Sequence, residues 1–202
     1  KYSEMPLTSG LSGAEIAQKM LHDSNIYDEK IISVEGQLTD HYNPADRTVN
    51  LSPEVYHGRS VAAAAVSAHE CGHAIQHATA YSWLQFRSSM VPIVNVASKI
   101  VSFTLMIGVM LAIFSNNLLL LQIGVAALAV TTVFSFITLP VEFDASKRAL
   151  AWLNTANITH NVEEHDGAKD ALKWAAMTYV IAALSALVTL LYYASLLMGR
   201  RD

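Results

Sequence analysis

The chain has 202 residues, a formal net charge of −4, 52% hydrophobic residues and only 15% charged ones. That balance argues against nucleic acid as a main partner, and a single cysteine excludes an intrachain disulfide. The mean hydropathy of +0.32 is unevenly spread: residues 1–90 are mixed and polar, whereas 91–140 and 175–198 are strongly apolar. The first residue is Lys1 and no apolar run precedes residue 90, so the expectation is that there is no signal peptide and that a beginning has been removed.

The first element expected is a short amphipathic helix over Ser12 to Asp23. Ser12 and Glu15 have capping-box spacing, and Ile16, Met20 and Leu21 fall on one face. Ile31 to Glu35 reads as a strand. Gln37 to Tyr42 and Thr48 to Ser52 flank the turn signal Asn43-Pro44-Ala45-Asp46, which predicts a hairpin. Val61 to Ala80 contains no proline, one glycine and many alanines, the composition of a helix.

That helix carries His69-Glu70-Cys71-Gly72-His73, an H-E-x-x-H pattern. Residues four apart share a helix face, so His69 and His73 can point at one metal ion, and Glu70 lies beside the metal's open position as a general base. His77 continues the series, but the accumulated rotation turns it off the metal face, so it is read as structural. Cys71 projects away from His69 and is read as packing. His41 and His165 are read as polar surface residues, although either could assist an oxyanion.

Val94 to Phe114 and Leu118 to Leu139 are nearly continuous apolar runs joined by Ser115-Asn116-Asn117, and Ala175 to Met198 is a third. Each is long enough to cross a hydrocarbon core of about 30 Å, and the first two form a hairpin. Chain before and after such a hairpin lies on one side of the membrane, so a further metal ligand is sought after residue 140 or in the polar amino-terminal half. Catalytic zinc usually keeps three protein ligands and one exchangeable position. Glu142, in a helical stretch just beyond Pro140, completes a His, His, Glu set, with Asp144 as the runner-up.

The H-E-x-G-H-A-I-Q-H run, the two-span hairpin and L-P-V-E-F-x-A-S-x-R-A-L together resemble the bacterial membrane-bound neutral zinc metallopeptidase family (YugP-like). That family is similar in turn to the gluzincin membrane proteases of the CAAX and heat-shock type. The resemblance extends from Ser12-Gly13-Ala14-Glu15-Ile16-Ala17 to the final Gly-Arg-Arg, and it implies that Glu142 is the third zinc ligand. CAAX-type proteases carry an aspartate four residues after this glutamate. Ser146 stands there instead, so ligand orientation is expected to come from elsewhere. Family members usually begin with a further span that is missing here, which suggests truncation. In related zinc proteases an edge strand before the motif helix holds the substrate backbone, a role that would fall to Thr48, Val49, Asn50 and Leu51.

The fold expected is mostly α with a small β-sheet: a zincin-like metalloprotease domain on a transmembrane hairpin, with a third transmembrane helix. Its parts are an amino-terminal zincin-like part (1–90), the hairpin (91–140), a third-ligand helix and loop (141–174), and a last span with a basic tail (175–202). The function expected is zinc-dependent endoproteolysis at a bacterial inner membrane. Zn2+ is the cofactor, a protein or peptide the substrate, the bilayer a partner, and a regulatory or oligomeric partner is allowed for. The spacing of Arg87, Lys147, Arg148, Lys169 and Lys173 against Arg200 and Arg201 places the site on the cytoplasmic face by the positive-inside rule. Two other readings compete: an intramembrane protease of the site-2 type, and a zinc-stabilised adaptor without catalysis. An intact Glu70, the polar approach through Arg59 and the lack of a later L-D-G motif weigh against them.

Overall fold

The computed structural model describes residues 2–199; the Arg200-Arg201 part of the basic tail lies outside the described residues. The chain divides into two compact units. One comprises the residues up to Leu84 together with Val141–Met177, and the other comprises Gln85–Pro140 together with the chain from Thr178 onward.

In the first unit, helix α1 (Gly13–Asp23) begins with the expected reciprocal cap: Ser12 Oγ accepts from the Glu15 N–H, and the Glu15 carboxylate accepts from the Ser12 N–H. Its face of Ile16, Ala17, Met20 and Leu21 is buried against α3 (Val61–Ala78), where Ala64, Ala65, Ala68 and Cys71 keep the approach close. A short helix, α2 (Pro53–Tyr56), precedes α3, whose own N-cap is Ser60. Ala149, Leu153, Ala168 and Leu172 complete this core from the later part of the chain.

The sheet departs from expectation in its order. Strands β1 (Lys30–Ser33), β2 (His41–Asn43) and β3 (Thr48–Leu51) are arranged β1-β3-β2. β2 and β3 form the expected antiparallel hairpin, and β1 adds in parallel to the other side of β3. β3 is therefore the central strand, and all four of its residues are buried. Thr48, Val49 and Asn50 are paired on both edges and Leu51 on the β1 side, so β3 is not the free edge that a substrate strand would need. The edge-strand expectation is corrected accordingly.

Three long helices follow: α4 (Ser82–Phe114), α5 (Leu119–Thr155) and α6 (Val162–Met198), each long and apolar enough to cross a membrane. Each apolar run fuses with polar sequence beside it into one helix, so the elements outrun the apolar segments that announced them. In the second unit the apolar parts of α4 and α5 meet through small residues. A Cβ on Gly108 would lie 2.6 Å from the Leu121 backbone nitrogen, and one on Gly124 would lie 3.0 Å from that of Leu105. Such glycines permit the close backbone approach typical of helices packed in lipid. Phe103, Met106, Ile181, Val188 and Leu191 are exposed on this unit, an apolar surface of the kind that a bilayer covers.

Candidate metal centre

Among the described residues, the groups gathered closely enough to hold a metal come from the first unit. The helical spacing of α3 sets His69 and His73 side by side, with ring centroids 4.8 Å apart. Helix α5 supplies Glu142. What lets α5 come so near is Gly72, between the two histidines: a Cβ there would lie 2.7 Å from the Ala145 carbonyl oxygen. One donor atom from each of His69, His73 and Glu142 then lies within 4.8 Å of the others, the spacing of a shared metal ion.

Glu142 Oε2 is 3.3 Å from His69 Nε2 and 3.6 Å from His73 Nε2. That oxygen is buried and has no hydrogen-bond partner, which for a carboxylate is costly unless a cation answers it. Burial opposes ionisation of Glu142, but the two imidazoles beside it outweigh burial and hold its carboxyl down at about 2. His73 shows the complementary effect: burial disfavours its charged form, and the Glu142 and Glu70 carboxylates outweigh this and raise its pKa. The cluster therefore favours a positive charge, and two imidazole nitrogens with one carboxylate oxygen are a donor set suited to zinc. The two histidine side chains remain 13% exposed, so the cluster is open on one side.

Glu70 is buried, and burial, reinforced by the nearby Glu142 and Asp40 carboxylates, raises its pKa against the opposing pull of His69 and His73.

The outer contacts are partly those expected. Ser146 was expected to leave orientation to other groups, yet its hydroxyl reaches His69 Nδ1 at 3.1 Å. A serine at this position does touch the imidazole, as a neutral partner in place of a charged one. His73 Nδ1 is 3.0 Å from Gln76 Oε1, a contact that the sequence reading missed. Asp144, the runner-up ligand, lies outside the cluster and bonds instead to Gln76 and Arg148. His77 is also outside, with Nδ1 3.1 Å from the Tyr42 hydroxyl. Cys71 is buried with Sγ 3.6 Å from the Ala17 carbonyl oxygen. His41 is exposed and contacts the Thr39 carbonyl.

The "Putative membrane protease YugP" of Bacillus subtilis (strain 168) is 40% identical over 202 residues, covering 100% of this chain and 88% of that protein. No solved structure matches the chain. The family described as "Putative neutral zinc metallopeptidase" matches residues 1–198. With its paired histidines and buried glutamate gathered at one point, the chain belongs to that zinc metallopeptidase family.

Proposed function

We propose that this chain is a membrane-anchored zinc endopeptidase whose metal is held by His69, His73 and Glu142 and whose general base is Glu70. The observation that carries this reading is the buried, unpartnered Glu142 oxygen facing two imidazole nitrogens from the H-E-x-x-H helix. A bound zinc ion would supply Lewis acidity toward the scissile carbonyl. His69 and His73 present Nε2 toward that position, since their Nδ1 atoms are engaged by Ser146 and Gln76. Glu70, with its raised proton affinity, takes the proton of the attacking water and returns it to the leaving amine.

With β3 closed on both edges, a peptide approaches elsewhere. A cavity of about 850 Å³ is lined by Leu38, Asp40, Ala62, Ala63 and Val66, and Val66 lies one helical turn before His69. That cavity supports its use as the substrate approach. The three apolar helices, with the membrane protease among the relatives, support anchoring in a bacterial plasma membrane. The basic residues Arg87, Lys147, Arg148, Lys169 and Lys173 favour the cytoplasmic face for the site.

The test is Glu70→Gln in the full chain purified in detergent. Zinc content should match the parent while peptide cleavage falls by about 10²- to 10⁴-fold. Full cleavage by a zinc-loaded Glu70→Gln protein would overturn the assignment of the base.

A further inference from the structure

Gln76 is fully buried three residues after His73, and every polar atom of its amide is used. Its Nε2 donates to the Val141 carbonyl at 2.8 Å and to Asp144 Oδ2 at 2.9 Å. Those are the only two hydrogens the nitrogen has, and both go to groups that solely accept. A flipped amide would set its oxygen against a carbonyl and a carboxylate, so the orientation is fixed by the two acceptors on α5. Oε1 is thereby left facing His73 Nδ1 at 3.0 Å. A carbonyl oxygen can only accept, so His73 carries a proton on Nδ1, and Nε2 is the nitrogen left to face Glu142 and a bound ion. Asp144 is itself held by Arg148 Nε at 2.6 Å, and that guanidinium lies over the Tyr81 ring at 5.7 Å. The second anchor, Val141, is the residue next to Glu142.

We propose that Gln76 is a positioning residue for the metal centre: it imposes the Nδ1–H form on His73 and ties α3 to the turn of α5 that carries Glu142. This rests on the reading of His69, His73 and Glu142 as zinc ligands. One side chain then orients one ligand and fixes the backbone beside another. Outer partners of metal-bound histidines are commonly worth 10- to 100-fold in metal affinity.

The experiment uses the full chain in detergent, comparing the parent, His73→Ala and Gln76→Leu. Zinc affinity is measured by chelator competition, ligand geometry by the visible spectrum of the cobalt(II)-substituted protein, and the His73 tautomer by ¹⁵N NMR of the zinc-free parent at a pH that keeps imidazole neutral. The expected results are a protonated Nδ1 on His73, zinc binding about 10- to 100-fold weaker in Gln76→Leu, and an altered cobalt spectrum. A residue that merely packed would lower the melting temperature and leave the tautomer and the spectrum alone. His73 protonated on Nε2, or Gln76→Leu binding zinc within twofold of the parent, overturns the proposal. The tautomer measurement needs no variant, so it stands even where Gln76→Leu does not fold. Unchanged zinc in His73→Ala would instead bring down the metal-site reading. Zinc lost in His73→Ala but kept in Gln76→Leu removes only the role of Gln76.

Discussion

Gly72→Ala tests the close approach on which the centre depends. The added Cβ would lie 2.7 Å from the Ala145 carbonyl oxygen and 3.1 Å from its carbonyl carbon and Cα. Ordinary contact begins at 3.4 Å, so α3 and α5 must separate locally by about 0.7 Å. The obstacle is backbone, which cannot swing aside as a flexible side chain would. Glu142 sits one turn before Ala145 on α5, so the separation is carried to its carboxylate. Metal–ligand distances tolerate only about 0.2 Å. Overpacking of this kind costs about 1–3 kcal/mol, offset by about 1 kcal/mol from replacing a mid-helix glycine with alanine. The zinc-free protein should therefore lose no more than about 2 kcal/mol, while zinc binding weakens about 10- to 100-fold. Chelator competition gives the affinity, and thermal unfolding with and without zinc gives the stability, since a ligand stabilises by RT ln(1 + [L]/Kd). A variant that binds zinc within twofold of the parent refutes the reasoning.

Other outcomes follow from the same geometry. Glu142→Ala should lose zinc under conditions where the parent retains it, as read by metal content after desalting. Ser146→Ala should weaken zinc several-fold by freeing His69 Nδ1, with the Nδ1 proton of His73 unaffected in the ¹⁵N spectrum. Glu164 is a structural counterpart: it accepts from the Thr8 N–H and from the His160 N–H, each at 2.8 Å. Burial opposes its ionisation, and these bonds with the Thr8 hydroxyl outweigh it and lower its pKa. Its contribution is thus complete above the ordinary glutamate pKa of about 4.3 and is lost as pH falls through the lower folded value. Glu164→Gln should cost about 2 kcal/mol at pH 7, and in thermal unfolding the gap to the parent should narrow as pH is lowered below about 4.3; a gap undiminished in acid would refute this.

What the sequence discloses here is what depends on near neighbours. The Ser12–Glu15 cap, the α3 face and the turn before β3 rest on spacings of a few residues, and each forms as expected. Glu142 was found through a topological constraint, because a hairpin limits which later residues can return to α3. Strand order was hidden because β1 joins β3 in parallel, across the whole intervening hairpin arm, and no local pattern encodes such a pairing. Gln76 was hidden for a related reason. It reads as one more polar residue on a helix until Val141 and Asp144, more than sixty residues away, arrive to orient its amide.

The burial of Cys71 has a practical consequence. The thiolate is the reactive form, and here burial, with the nearby Glu70 carboxylate, pushes the thiol pKa up while the core shuts reagents out. The sole cysteine of the chain should therefore react slowly with aqueous maleimides. Cysteines introduced one at a time at exposed positions, such as Asn116 and His41, can be labelled in intact cells with the native residue still in place. A membrane-impermeant reagent then reports which compartment each position faces, with the wild-type chain as the background and no core residue altered.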